Sequence, residues 1–435
     1  MLDRLEHDAF AYFLHTVNPD NGLVPDHTGE DVPASIAAVG LALAAYPIGV
    51  ERGYIARADA AARTLTTLRF FKNSPQGTEP DATGYQGFYY HFLDIETGRR
   101  AWKSELSTID TACLLAGALY AATYFDRDSQ DEREIRTLAD ELYRRANWQW
   151  AQNGEPSLTH GWKPESGFLT DRWKGYSEAL FVYVLGLGSP TYPLPTESYD
   201  AWTSTYTWKN IYDYELLYAG PLFIHHYSHV WIDFRGIQDA YMREKGVDYF
   251  ENSRRATHVQ QQYAIRNPLA FKRYGKDFWG ITASDGPGPA TLEVDGIQRH
   301  FYAYRARGAP YGPDDGTIAP WAAISSLPFA PEIVLPATRH FIEVYPEITD
   351  AHGCKATVNP TFPAQSGDPR GWISPRHYGL NQGALIALLE NYRSDQLWRL
   401  MRRCPYRVEG LRRAGFAGGW LSNPNVSSLA RERAT

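Results

Sequence analysis

The sequence predicts an all-α protein folded as an (α/α)6 toroid, six inner and six outer helices, with long loops and small β-hairpins forming a cleft at one end. Three observations carry this. Helical periodicity recurs from end to end of the 435 residues, while alternating strand patterns are rare. The helical segments, roughly a dozen, are joined by long connections rich in Gly, Pro and aromatic residues, too long to be ordinary linkers and too aromatic for disorder. Several segments are apolar on nearly every side, which a helix tolerates only when surrounded. An α-solenoid or two stacked bundles would show the same periodicity.

Periodicity and helix stop signals place the helices at 2–17, 33–50, 56–73, 107–125, 131–151, 175–188, 197–203, 220–236, 247–266, 317–326, 331–345 and 381–402. The first is amphipathic (MLDRLEHDAF). The second, within the uncharged run Val32 to Val50, nears membrane-spanning length, but its small residues and Pro47 mark it as a buried helix. With 107–125 and 175–188 it makes the nearly uncharged set, expected as inner helices. The long connections are 74–106, 152–174, 268–316 and 346–380, and only GFYYHFLDIE, 87–96, reads as a strand. No repeat, linker or composition break divides the chain, so a single domain over 1–435 is expected.

Composition excludes several functions. With 43 basic and 50 acidic residues, the net charge is −7 and no basic run tracks a phosphate backbone, so nucleic acid is not an expected partner, nor is a membrane. Cys113, Cys354 and Cys404 are too few and scattered for a disulfide framework or a cysteine-based metal site. The opening residues lack a cationic start followed by an apolar run, which leaves cytoplasmic and periplasmic locations both open. The aromatic content, 14% with 13 Trp and 29 Tyr, suits both a large helical core and a sugar-stacking cleft.

The chemistry-bearing pattern is an acid at the mouth of an apolar helix. In AWKSELSTIDT, Glu105 and Asp110 stand at the entrance of 107–125, and Ser107 to Asp110 also fits a capping box. In WKGYSEALFVYVLGLGS, Glu178 stands at the entrance of 175–188. Trp102 precedes the first pair; Trp173 and Tyr176 precede the second. Two inner helices carrying acids at one end, beside aromatic platforms, are what glycosidic cleavage needs: one carboxylic acid protonates the departing oxygen, and another carboxylate activates water or attacks the sugar carbon.

The segments ELSTIDTACLLAGALY, GWKPESGFL, GYSEAL, YSHVWIDFRGIQDAYMREKGVDYFENSRRAT, DDGTIAP, SSLPFAPEIVLPA and ENYRS resemble the glycoamylase-type domain of glycoside hydrolase family 144, the β-1,2-glucanases, and of cyclic β-1,2-glucan synthases. The resemblance runs over about 2–415. It implies the toroid, hydrolysis of β-1,2-glucan or sophoro-oligosaccharides, no cofactor and no metal, and a monomer is expected. It makes Glu178 the preferred general acid, with Asp110 or Glu105 supporting the water or binding hydroxyls, and inversion is the favoured course. One departure is Asn381, where relatives usually carry Asp; Asn cannot act as a base, which raises altered linkage specificity or glycosyl transfer. A glucan transglycosylase and a non-catalytic carbohydrate-binding protein are the alternatives.

Further candidates for contact with substrate are Trp162, His226, Tyr227, His229, Asp233, Arg235, Asp285, Asp314 and Asp315. Trp162 is a stacking platform or a packing anchor. His225, His229 and Asp233 share one helical stripe and could ligate a metal, but no HExxH pattern accompanies them, and within the resemblance this segment lines or supports the cleft. Asp314 and Asp315 fit N-cap duty or a loop over substrate, and Asp285 sits in a Gly/Pro turn.

Overall fold

A computed structural model describes residues 1–364 and 367–423. Sixteen α-helices lie among them: α1 (Leu2–His15), α2 (Ile36–Glu51), α3 (Arg57–Asn73), α4 (Thr108–Tyr124), α5 (Gln130–Arg145), α6 (Trp148–Gln152), α7 (Leu180–Leu187), α8 (Glu197–Thr203), α9 (Ile224–Trp231), α10 (Ala240–Lys245), α11 (Tyr249–Arg266), α12 (Pro320–Ser325), α13 (Pro331–Val344), α14 (Gly379–Ser394), α15 (Gln396–Met401) and α16 (Pro405–Arg413).

The architecture is an α/α toroid with small strand hairpins. Helices α2, α4, α7, α9, α12 and α14 form the inner ring. α4 packs between α2 and α7, α7 meets α9, α12 meets α14, and α14 returns onto α2 to close the circle. α9 is tied to the end of α12 by His226 Nε2, 2.9 Å from Ser326 Oγ. Outer helices back them: α1 against α14 and α2, α3 against α2 and α5, α11 against α9, α13 against α12, α16 against α7.

Burial follows the expected pattern. All eight residues of α7, all six of α12 and every residue of α2 from Ile36 to Gly49 are buried, as helices without a polar face require. α2 and α4 meet backbone to backbone. A Cβ on Gly117 would lie 2.0 Å from the Gly40 carbonyl oxygen, an approach only glycine permits.

Several boundaries differ from the periodicity. The segment 131–151 breaks into α5 and α6, because the Asn147 side chain accepts from the Trp150 N–H and starts a new helix. The segment 381–402 breaks at Asp395, whose φ of 62° ends α14 before α15 begins. Residues 175–179 are a turn, entered through Gly175 at φ 78°, so α7 starts only at Leu180. α9 is shorter than 220–236, ending where Ile232 turns extended. The short helices α10 and α16 had no clear period and were not expected. The tail from 424 lies outside the described residues.

Strands are short but more numerous than expected. The largest sheet is antiparallel throughout, in the order Gly84–Tyr85, Phe88–Tyr90, Leu106–Ser107, Gly161–Lys163, Gly167–Phe168. Its middle strand runs directly into α4: Ser107 is the last strand residue and also the N-cap, its hydroxyl accepting from the Asp110 N–H. The same device starts α2, where Ala34–Ser35 pairs with Phe92–Leu93 and Ser35 caps the helix. Two neighbouring inner helices therefore each begin where a short strand ends in a capping serine.

Candidate active site

A cavity of about 460 Å³ opens at the end of the ring where the inner helices begin, within the roughly 300–1,000 Å³ typical of ligand sites. Its wall takes Ala37 from the first turn of α2, Ile109 and Asp110 from α4, Phe181 from α7, Trp321 from α12, and Leu380 and Asn381 from α14. Phe223 and Tyr227 come from the start of α9, and Glu178 from the turn ahead of α7. Helix N-termini carry partial positive charge, so this end of the ring suits carboxylates.

Asp110 is the third residue of α4. Its backbone N–H lies 3.2 Å from Ser107 Oγ, and the Ser107 hydroxyl returns a hydrogen bond to Asp110 Oδ2. The capping geometry and the site geometry are thus the same geometry: the cap locks the carboxylate that faces the cavity. Glu105 immediately precedes the strand Leu106–Ser107, and the His91 N–H donates to its carbonyl at 2.9 Å. The side chains meet as well. His91 Nδ1 is 3.0 Å from Glu105 Oε1, and His91 Nε2 is 3.7 Å from Asp110 Oδ2.

The cluster separates its protonation states. Burial disfavours charge on His91, but Asp110, Glu105 and Asp26 outweigh it and push the imidazole up to about 9. Burial would raise Glu105, yet its hydrogen bond and attraction to His91 push it down to about 2. Glu178 has no cation beside it. Burial, with Asp110's charge adding, pushes it up to about 7, so near neutrality a large share of it is still protonated. Asp26, also in the wall, is raised by burial against the pull of His27 and His91.

Of the other sequence candidates, Trp102, Tyr227, Asp285 and Asn381 line the cavity. The Tyr227 hydroxyl donates to the Leu380 carbonyl at 3.2 Å, and Asp285 accepts from Ser374 Oγ at 2.9 Å.

The remaining candidates are placed elsewhere, each held by its own partners. Tyr176 packs between Tyr206 and Tyr249, its hydroxyl 3.3 Å from His225 Nδ1. Trp162 pairs with Leu106 across the five-stranded sheet, packs on Tyr85 and Trp150, and does not line the cavity. His226 and His229 are core imidazoles, bonded to Ser326 and Ser253, and burial pushes His229 down to about 3. Asp233 is buried under Arg235 and Arg402, and Arg235 also pairs with Asp395 at 2.7 Å while lying over Trp398. His225, His229 and Asp233 do not converge, and no such group fit for a metal ion occurs among the described residues.

Asp314 accepts the hydroxyls of Tyr263 and Tyr274. Asp315 forms a fully buried pair with Arg307 at 2.7 Å, which braces the loop behind Ser284 and Tyr302.

The wall also contains residues that no motif marked, Asp26, His91 and Tyr378, together with Tyr304. His91 lies in the one segment readable as a strand, but Glu105 meets it across the chain just ahead of the strand Leu106–Ser107, and that pairing has no local signal.

The glycoamylase family, described as "Putative glucoamylase", matches residues 170–405. A Bacteroides uniformis ATCC 8492 protein of solved structure, described in the same words, is 31% identical with a TM-score of 0.85, covering 97% of this chain and 98% of its own. The endo-β-1,2-glucanase of Chitinophaga pinensis, solved with sophorotriose and glucose, is 26% identical with a TM-score of 0.83, covering 96% of this chain and 98% of its own. The exo β-1,2-glucooligosaccharide sophorohydrolase (non-reducing end) of Parabacteroides distasonis is 27% identical over 95% of this chain, which spans 57% of that relative's length. Matched by the family over more than half its length and by a 31%-identical structure over nearly all of it, the chain belongs to the glycoamylase family.

Proposed function

We propose that the protein is a glycoside hydrolase of β-glucans, with β-1,2-linked glucan or sophoro-oligosaccharides as substrate. The observation that carries this reading is one cavity holding a carboxyl pushed up to about 7, Glu178, and a carboxylate beside a cationic imidazole, Asp110. A buried carboxyl raised toward neutrality, sharing a cavity with a second carboxyl, suits a general acid paired with a base. Relatives named for β-1,2-glucan cleavage supply the linkage.

In this mechanism the protonated Glu178 gives its proton to the glycosidic oxygen as the bond from the anomeric carbon breaks. Asp110 takes a proton from the water that attacks that carbon, through an oxocarbenium-like transition state and with inversion. Glu105, hydrogen-bonded to His91 Nδ1 at 3.0 Å and outside the cavity lining, serves to fix His91. Asn381 contributes an amide, which binds a hydroxyl and moves no proton. Trp102 and Tyr304, 61% and 63% exposed at the wall, offer faces to the sugar rings.

The test is a screen of linear β-1,2-, β-1,3- and β-1,4-glucans, maltodextrin and aryl glucosides, scored by new reducing ends. Release from β-1,2-glucan is expected. Redistributed chain lengths without new reducing ends would make the protein a transglycosylase, and binding without turnover would make it a carbohydrate-binding protein.

A further inference from the structure

Building on that reading, we propose that the sugar cleft continues past the acid-bearing cavity, over Trp102, into a second groove that binds further glucosyl units of the same chain. This groove, about 730 Å³, is bounded by residues between His27 and Pro33, by Asp94, Ile95 and Glu96, and by Ala101 and Trp102. It shares His27 and Trp102 with the first cavity. The two hollows therefore meet at one indole, and a chain leaving the acids on that side runs into the groove.

Trp102 is built to stay at this junction. It is 61% exposed, whereas tryptophan is ordinarily well buried. Its φ of 53°, followed by 49° at Lys103, puts two bulky residues in the left-handed region, which such residues seldom enter. The turn is held by the Ala101 N–H donating to the Phe92 carbonyl at 2.9 Å and the Ser104 N–H to the Ala101 carbonyl at 3.0 Å. The result lifts the indole out of the core and presents it to both hollows. Behind it stands Phe92, with ring centroids 5.0 Å apart, itself stacked on His91 at 3.9 Å. An unbroken aromatic line thus runs from the acid cluster to the groove.

The chemistry of the groove fits a glucan. A glucosyl ring has an apolar C–H face for the indole and hydroxyls for nearby oxygens, and Thr28, Asp31 and Glu96 provide acceptors along the groove. The neutral polymer carries no charge for these acids to repel.

The experiment compares kcat/KM on β-1,2-linked oligosaccharides, from the shortest one cleaved to chains several units longer, in the wild type and in Trp102→Ala and Ala101→Tyr. The expected wild-type result is a rise in kcat/KM with length, carried by KM. Trp102→Ala should lower the long-to-short ratio on the order of tenfold, the scale of one lost aromatic contact. Ala101→Tyr, which fills the groove without touching the acids, should lower the same ratio. A length-independent wild type, or variants that reduce all lengths equally, would overturn the groove while leaving the hydrolase reading intact. Failure to cleave any β-1,2-linked chain would overturn that reading itself.

Discussion

His91 Nδ1 stands 3.0 Å from Glu105 Oε1, and this contact orders the electrostatics of the cavity. It gives the imidazole a permanent counter-charge, so that the other ring nitrogen faces Asp110 as a cation. Glu178, out of reach of that cation, keeps its proton to higher pH. In the proposed mechanism, the division into acid and base follows from which carboxyl lies near His91.

Glu178→Gln should cost at least the roughly 10²–10⁴-fold that a positioned general acid supplies, with the melting temperature nearly unchanged. The side chain stands in the cavity wall and is no part of the packed core. Loss of activity in step with unfolding would point to a structural role instead.

The pH dependence of kcat/KM should show a basic limb near 7, where the Glu178 carboxyl loses its proton. If the limb stayed put in a Glu178→Asp variant that retains measurable activity, another group would be the acid.

His91→Gln should destabilise the fold most between about pH 4.5 and 6.5. The folded imidazole titrates at about 9, above its ordinary 6.5, so its stabilisation is complete below 6.5 and is lost as pH rises toward 9. Glu105 is held at about 2, below its ordinary 4.5, so its share is present above 4.5 and is lost as pH falls toward 2. The expected loss is about 1.5–3 kcal/mol, as for a charged hydrogen bond, read by urea unfolding across pH. A difference that does not vary with pH would contradict the charged pair.

At the opposite end of the ring, Glu6 of α1 and Glu390 of α14 lie together under Arg52 and Arg393. Burial, reinforced by the hydrogen bond and repulsion of Glu390, pushes Glu6 up to about 8. The folded state therefore holds a proton that the unfolded chain releases near 4.5, and stability should decline as pH rises from 4.5 to 8. Glu6→Gln should flatten that decline and melt higher than the wild type at pH 9, as calorimetry would show.

Asp315→Ala should cost about 3–5 kcal/mol, the penalty for stranding a buried charge. Arg307 and Asp315 are both fully buried, and the guanidinium would be left without its counter-ion. A denaturation midpoint close to that of the wild type would show that the pair is dispensable.

Much of this was legible before any coordinates. The uncharged helices at 33–50, 107–125 and 175–188 had to be inner ones, and the structure buries them as α2, α4 and α7. Acids at helix mouths pointed to Asp110 and Glu178, and both line the cavity, Asp110 from the first turn of α4 and Glu178 from the turn ahead of α7. The segment around α9 misled for a physical reason. Polar residues among aromatics look the same in sequence whether they meet a sugar or one another, and His226, His229 and Asp233 meet Ser326, Ser253 and two arginines. His91 and Asp26 escaped notice because their relevance comes from strand pairing and loop return, which leave no periodic trace.

Because Asp110 and Glu178 of the cavity stand at or just ahead of the opening turns of the inner rods, while Arg52 beyond α2 pairs with Glu390 of α14 at the far end, cavity and clasp occupy separate levels of the ring. The rim can be lengthened, shortened or exchanged without loosening the clasp beneath it. For the proposed hydrolase, a scaffold divided in this way leaves the residues facing the sugar open to change at little risk to the fold.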